Sequence, residues 1–370
     1  MTPEGPAAVA PSEADDDFAG VDPTRILQTM AIVFVLVVAI YVVLPQVAGI
    51  DDSVKKIGDG SLRWFGLGMA FNLLAFGSYV ALFRGVVGRD VRLAWNESYQ
   101  ITMAGIAASR VFSAGGAGGI ALSYWALRRA GMARAVAVVK MVAFLVLLYL
   151  VYVLGLIIFG VLLRTGVLRG ESPVSMTIVP AAISGGVLVA LALVGLVPGD
   201  LQRRFEGLKS GGALGRLAHR LVTVPATVSR GIREAIRLLQ NPRQAGLITI
   251  GAVGFWAANV AILWACFEAF GLALPIAVVV QGFFVGMVAN LAPAPGGVGA
   301  VDGGMIGAFL AFGYPLETVI TVVLVYRVIA FWTPVPPGVV AFFQLRQTVA
   351  RWKAEGRVAP DDPLPAGAAP

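Results

Sequence analysis

The chain has 370 residues, 58% of them hydrophobic and 13% charged, with a net charge of +7 and a mean hydropathy of +0.83. Soluble domains carry about 25% charged residues, so this balance excludes a soluble globular fold and points to helices immersed in a bilayer. One cysteine, Cys266, excludes a disulfide framework and a multi-cysteine metal site, and one histidine, His219, argues against imidazole catalysis within the membrane.

Residues 1–25 set six acids (Glu4, Glu13, Asp15, Asp16, Asp17, Asp22) against Arg25 and read as a disordered, cytoplasmic tail. The tail lacks the basic start of a cleaved signal peptide, so the apolar run Ile26–Ala48 is expected to stay in the membrane as a first span. A second span is predicted over Leu62–Val86, with Asn72 as its strongly polar interior residue.

Ser98–Leu127 contains SRVFSAGGAGGIALSYW, whose centre, Ala114–Gly119, is a small-residue break. Two readings fit: a helix broken within the membrane, with Gly115 and Gly116 at the break, or a close-packed helix crossing. Gly116–Ala121 formally matches the dinucleotide fingerprint G-x-G-x-x-A, but no strand–turn–helix unit surrounds it, and the match is rejected. Arg110 lies amid apolar neighbours, where an arginine is costly. It is expected to face a cavity or a partner, or else to snorkel to the interface.

Spans are predicted next over Ala135–Leu163, where Lys140 lies within reach of the headgroups, and over Ser175–Val197. Residues 199–243 then hold nine basic residues against three acids, which accounts for +6 of the net charge. Apolar residues recur near helical spacing from Leu214 to Leu239, with Pro225 as a kink, so the segment reads as a pair of amphipathic helices on anionic leaflet lipids. An ordinary positive-inside loop fits equally well, and a nucleic-acid site is not favoured.

Further apolar runs cover Ala245–Phe270, Pro275–Leu291, Val298–Phe312 and Leu316–Phe343, followed by a basic cytoplasmic tail at 346–370. Within them Met287–Asp302 reads MVANLAPAPGGVGAVD. Pro293 and Pro295 remove backbone donors, and Gly296, Gly297 and Gly299 tolerate positive φ, so a continuous helix through this stretch is not expected. A short loop between two spans is the plain reading. Two half-helices meeting in the membrane, with Asn290 before the break and Asp302 one turn after it, is the functional one.

The positive-inside rule puts 199–243 in the cytoplasm. With 98–127 re-entrant, which the charge bias favours, both termini lie there too, whereas a full span over 98–127 would move the N-terminus outside; 275–312 is then a re-entrant pair or two full spans. Laying Ser113–Gly119 over Ala294–Ala300 aligns three glycines at an offset of 181 residues, the pattern expected of an inverted-topology repeat. The fold class is thus an all-α polytopic membrane protein. It has about six full transmembrane helices, plus two broken or re-entrant helix pairs related by a possible inverted repeat, within a membrane domain at 26–345.

The run VANLAPAPGGVGAVDGGMIGAFLAFGYPLETVITVVLVYRVIAFWTPVPPG resembles the membrane region of bacterial lysylphosphatidylglycerol synthases and of the stand-alone flippase-like proteins that share it. The pattern there is P-x-P-G-G-x-G-x-x-E, followed about two dozen residues later by Tyr-Arg. Pro293, Pro295, Gly296, Gly297 and Gly299 match, as do Tyr326 and Arg327, while Asp302 stands where the family usually has Glu. The first motif departs: Ser113 and Gly118–Gly119 stand where the family shows a proline and a Gly–acid pair, which leaves a mirrored, equally charged first half without support. The resemblance implies a lipid flippase without the synthases' cytosolic transferase domain, so lipid aminoacylation is not expected.

The residues therefore suggest a non-enzymatic translocase with no cofactor. Free amides at Gly296–Gly299 would meet a lipid phosphate, Arg110 and Arg327 would add cationic contacts, and Asp302 would orient Arg327 or meet a headgroup amine. A purely structural Asp302–Arg327 bridge, a carrier of a small polar solute, and a scaffold for envelope assembly remain as alternatives. A homo-oligomer or an envelope-biosynthesis partner is left open, and no G-x-x-x-x-G-K-[ST] motif for direct ATP hydrolysis occurs.

Overall fold

The computed structural model describes residues 61–88, 90–111, 117–196, 213–291 and 299–357, and these are helical with short connections. In chain order the helices are α1 (Leu62–Val87), α2 (Trp95–Val111), α3 (Ala117–Arg129), α4 (Arg134–Arg164), α5 (Ile178–Gly195), α6 (Ala213–Gln240) and α7 (Pro242–Ala269). Then follow α8 (Ile276–Met287) with a 3-10 turn (Val288–Leu291), α9 (Ala300–Ala311), α10 (Leu316–Arg327) with a π-helical turn (Val328–Trp332), and α11 (Val335–Ala354). Five stretches are long and apolar enough to cross a membrane: α1, α4, α5, α7 and the run from α10 through α11. The expected span at 26–48 lies outside the described residues.

Helices α8 and α9 have 12 residues each, roughly 18 Å at 1.5 Å per residue, too short to cross about 30 Å of hydrocarbon alone. They pack on each other, as α2 and α3 do. Small residues allow this close approach. A Cβ on Gly304 would lie 2.6 Å from the Gly286 carbonyl oxygen, and one on Gly105 would lie 3.3 Å from that of Gly119. The close-packed reading of the first glycine-rich segment is therefore correct at Gly119, which sits inside α3. Gly115 and Gly116, with Pro293, Pro295, Gly296 and Gly297, lie outside the described residues.

Helices α1 and α7 are packed along their whole lengths and run antiparallel. At one end the Ser61 amide donates to the Ala269 carbonyl (3.1 Å) and Trp64 meets Trp264 edge-on (5.2 Å). At the other the Gln244 amide donates to the Gly85 carbonyl (3.2 Å). A shift of 181 residues carries α1 onto 243–268, α2 onto 276–292, α3 onto 298–310 and the start of α4 onto residue 315, within two residues of where α7, α8, α9 and α10 begin. Offset and antiparallel packing together describe two halves of one design, set head to tail.

Within the basic segment, Ala213–Gln240 form one helix, α6, that runs through Pro225, while residues 199–212 of the expected pair lie outside the described residues. Its buried Ile232, Ala235 and Leu238 face the bundle, and Arg233 and Arg237 face outward. Lys140 does not reach headgroups: it is 5% exposed and bridges Asp90 (2.7 Å) and Glu234 (2.8 Å), which ties α6 to α4. Two carboxylates that close would repel without the ammonium between them, so burial of the lysine follows from its partners.

Candidate functional site

Between the two halves lies a cavity of about 270 Å³. Its wall draws on both: Asn72 and Tyr79 from α1, Arg110 from α2, Ser123 from α3, and then Asn259 from α7, Asn290, and Tyr326 and Arg327 from α10. Tyr149, near the middle of α4, and Ile120 on α3 also line it and are 44% and 36% exposed, so its rim meets the protein surface partway along a spanning helix.

Asp302 and Arg327, brought together as their pairing required, form a buried ion pair through Oδ1 and Nε. Each charge alone would cost about 3 kcal/mol in the bilayer centre, which pairing offsets. Helix α9 fixes the carboxylate. Gly299 takes φ +80° just ahead of the first turn, a conformation suited to glycine, and its amide donates to Asp302 Oδ2 (2.9 Å). Both carboxylate oxygens are thus engaged. The amide of Gly299 is held by Asp302, which also pairs with Arg327.

Arg110 does not snorkel. Its guanidinium donates to the carbonyls of Phe331 and Ala330 (3.1 Å for the latter) and lies over the Phe331 ring at 4.7 Å. The Ala330 carbonyl lacks a helical partner for a reason visible in the sequence: in α-helical register its donor would be the nitrogen of Pro334, and proline has no N–H. Asn72 completes the repair by donating to the Ile329 carbonyl (2.7 Å) and the Thr333 hydroxyl (2.5 Å).

Among the described residues no carboxylate lies within ion-pair distance of Arg110. Its two carbonyl bonds leave three of the five guanidinium N–H donors without those acceptors. Tyr326 lines the same wall and packs edge-on against Phe283 (6.0 Å), and Asn290 lies at the end of the 3-10 turn. Phe331, Tyr79 and Asn259 escaped the sequence reading. Pro334 was the available signal for this part of the wall, since it leaves the Ala330 carbonyl in need of an outside donor. Among the described residues no group of three or more His, Cys, Asp or Glu side chains is placed to hold a metal ion.

The chain is similar to an archaeal relative, a "UPF0104 membrane protein" of Methanothermobacter thermautotrophicus, at 31% identity over 104 residues. That match takes in 28% of this chain and spans under a third (31%) of the relative's length. The family model described as "Lysylphosphatidylglycerol synthase TM region" matches residues 24–338, nearly the whole helical region and every element that lines the cavity. With apolar helices long enough to cross a bilayer, the chain is a multi-pass membrane protein and belongs to the lysylphosphatidylglycerol synthase TM-region family.

Proposed function

We propose that this protein moves a polar-headgroup lipid across the cytoplasmic membrane through the cavity between its two halves, and that it does so without chemical change to the lipid. The observation that carries this reading is a largely apolar cavity that nonetheless holds Arg110 and Arg327, with a rim at Tyr149 midway along α4. A headgroup seated there would leave its tails in hydrocarbon. In this reading the hairpins α2–α3 and α8–α9 re-enter the membrane from opposite faces, as in inverted-repeat transporters whose broken helices meet near the midplane. Helix α6 and both termini lie on the cytoplasmic side, where the outward Arg233 and Arg237 meet anionic lipid.

The test is headgroup inversion in liposomes that contain the purified full chain and fluorescent phospholipids or extracted native lipids. Wild type is expected to invert at least one lipid, and R110Q and R327A to lose that activity. Absence of inversion by folded, correctly inserted wild type overturns the proposal in favour of a solute carrier or a scaffold.

A further inference from the structure

We propose that the acidic segment at residues 1–25 docks on one end of its own helical bundle, against the exposed cations Arg92, Arg134, Arg243 and Lys353. Tertiary contacts bring all four to that end. Arg92 precedes Leu93, whose carbonyl accepts from Arg84 in the last turn of α1. Arg243 adjoins Gln244, which donates to Gly85 in the same turn. Lys353 lies in the last turn of α11, beside Trp352, whose Nε1 donates to Glu97 (3.1 Å) at the start of α2. Arg134 opens α4, the helix that Lys140 ties to Asp90 (2.7 Å).

Charge divides unevenly between the two ends. The described acids at this end are already committed: Asp90 and Glu234 to Lys140, Glu97 to Trp352 and Arg351, and Glu355 to Arg357. Among the described residues no carboxylate lies within ion-pair distance of Arg92, Arg134, Arg243 or Lys353. At the opposite end Arg63, Arg164 and Arg169 are matched by Glu171, Glu268 and Glu317.

Counting crossings brings the missing acids to the basic end. Helix α1 starts at the opposite end, where the Ser61 amide donates to the Ala269 carbonyl. The apolar run Ile26–Ala48 before it is long enough to cross about 30 Å of hydrocarbon. A span there returns residues 1–25 to the end at which α1 finishes, whichever face of the membrane that is. The segment carries Glu4, Glu13, Asp15, Asp16, Asp17 and Asp22 against Arg25. A chain of about 25 residues reaches roughly 25–30 Å on average, and its like charges extend it further. Exposed ion pairs are individually weak and screened by salt, so the docking draws on several pairs at once. The covalent tether adds an effective concentration of order mM, an advantage over any soluble acidic partner. The docking is independent of what the cavity carries.

Zero-length carbodiimide coupling joins carboxylates to amines and so reads whether acids of residues 4–22 meet Lys353. The sample is the full chain in detergent at low salt, mixed equally with a heavy-isotope-labelled copy, with links identified by mass spectrometry. Intrachain links to Lys353 are expected, and their yield should fall about fivefold at about 1 M salt, where the Debye length is near 3 Å. R92Q/R134Q/R243Q, changed at exposed positions, should lower it by a similar factor. Lys55 and Lys56, which lie between the two spans in sequence, should stay unlinked. Cleavage within residues 4–22 by an acid-specific protease should accelerate under the same two changes.

No link to Lys353 together with an unchanged cleavage rate overturns the proposal. Links of equal yield to Lys55 or Lys56 overturn it through the crossing count. Links found only between labelled and unlabelled chains overturn it in favour of a second copy's segment. Links that vanish when phosphatidylglycerol replaces phosphatidylcholine in nanodiscs overturn it in favour of the anionic leaflet as occupant of this surface.

Discussion

Arg110 and Arg327 hold their guanidinium carbons over one aromatic ring, that of Phe331, at 4.7 and 4.9 Å from its centroid. Two like charges meet there because the ring face is negative and because Asp302 and the Ala330 and Phe331 carbonyls supply the rest of the compensation. Phe331→Leu is expected to keep the fold and lose about 1–2 kcal/mol through the missing cation–π contacts. Thermal unfolding in detergent measures this loss, and lipid inversion by the same variant should fall as Arg110 loses its support.

Removing one partner of the buried Asp302–Arg327 pair strands the other. R327A should cost about 3–5 kcal/mol, while D302N/R327M, which removes both charges, should recover most of that. Denaturation of the single and double variants decides it. Equal losses in both would mean that the pair contributes nothing through its charge.

The crossing of α8 and α9 provides its own control. A Cβ on Gly304 would press within 2.6 Å of the Gly286 carbonyl oxygen, whereas one on the adjacent Gly303 meets nothing within 4 Å. G304A is therefore expected to destabilise by about 1–3 kcal/mol through overpacking. G303A, in open space on the same helix, should be neutral or gain up to about 1 kcal/mol. Side-by-side melting curves separate them.

Lys140 clasps α6 to the bundle through Asp90 and Glu234. K140A should cost about 3 kcal/mol, the low end for breaking a buried pair, because the Asp90 side chain keeps 36% exposure. Hydrogen exchange should accelerate across Ala213–Gln240 first. Exchange that rises uniformly over all helices would instead mean that the triad stabilises the bundle as a whole.

Much of this architecture was legible in the chain. Apolar runs gave α1, α4, α5 and α7 to within a few residues, while the last run continues past the expected Phe343 to Ala354. The costs of a lone Asp302 and a lone Arg327 asked for partners, and each finds one in the other. The offset of 181 residues, read from three glycines, recurs in the helix boundaries. What stayed hidden depended on distant partners. Lys140 looked like an interfacial lysine because Glu234 is 94 residues away, and Asn72 showed its polarity but not the Ile329 carbonyl 257 residues on. The unusual turn at Val328–Trp332 left its trace only in the prolines that follow.

Helix α5 is thinly embedded, with Ala181 and Ser184 as its buried residues. Its importance lies in counting. With α6 not among the helices long and apolar enough to cross, α5 is the crossing that returns the chain to the side from which α7 must start in order to meet α1 head to tail. Without it the second half would insert the same way up as the first, and the contacts from Ser61–Ala269 to Gly85–Gln244 would have no geometry in which to form. A helix that contributes little to packing thus sets the handedness of insertion for everything that follows it.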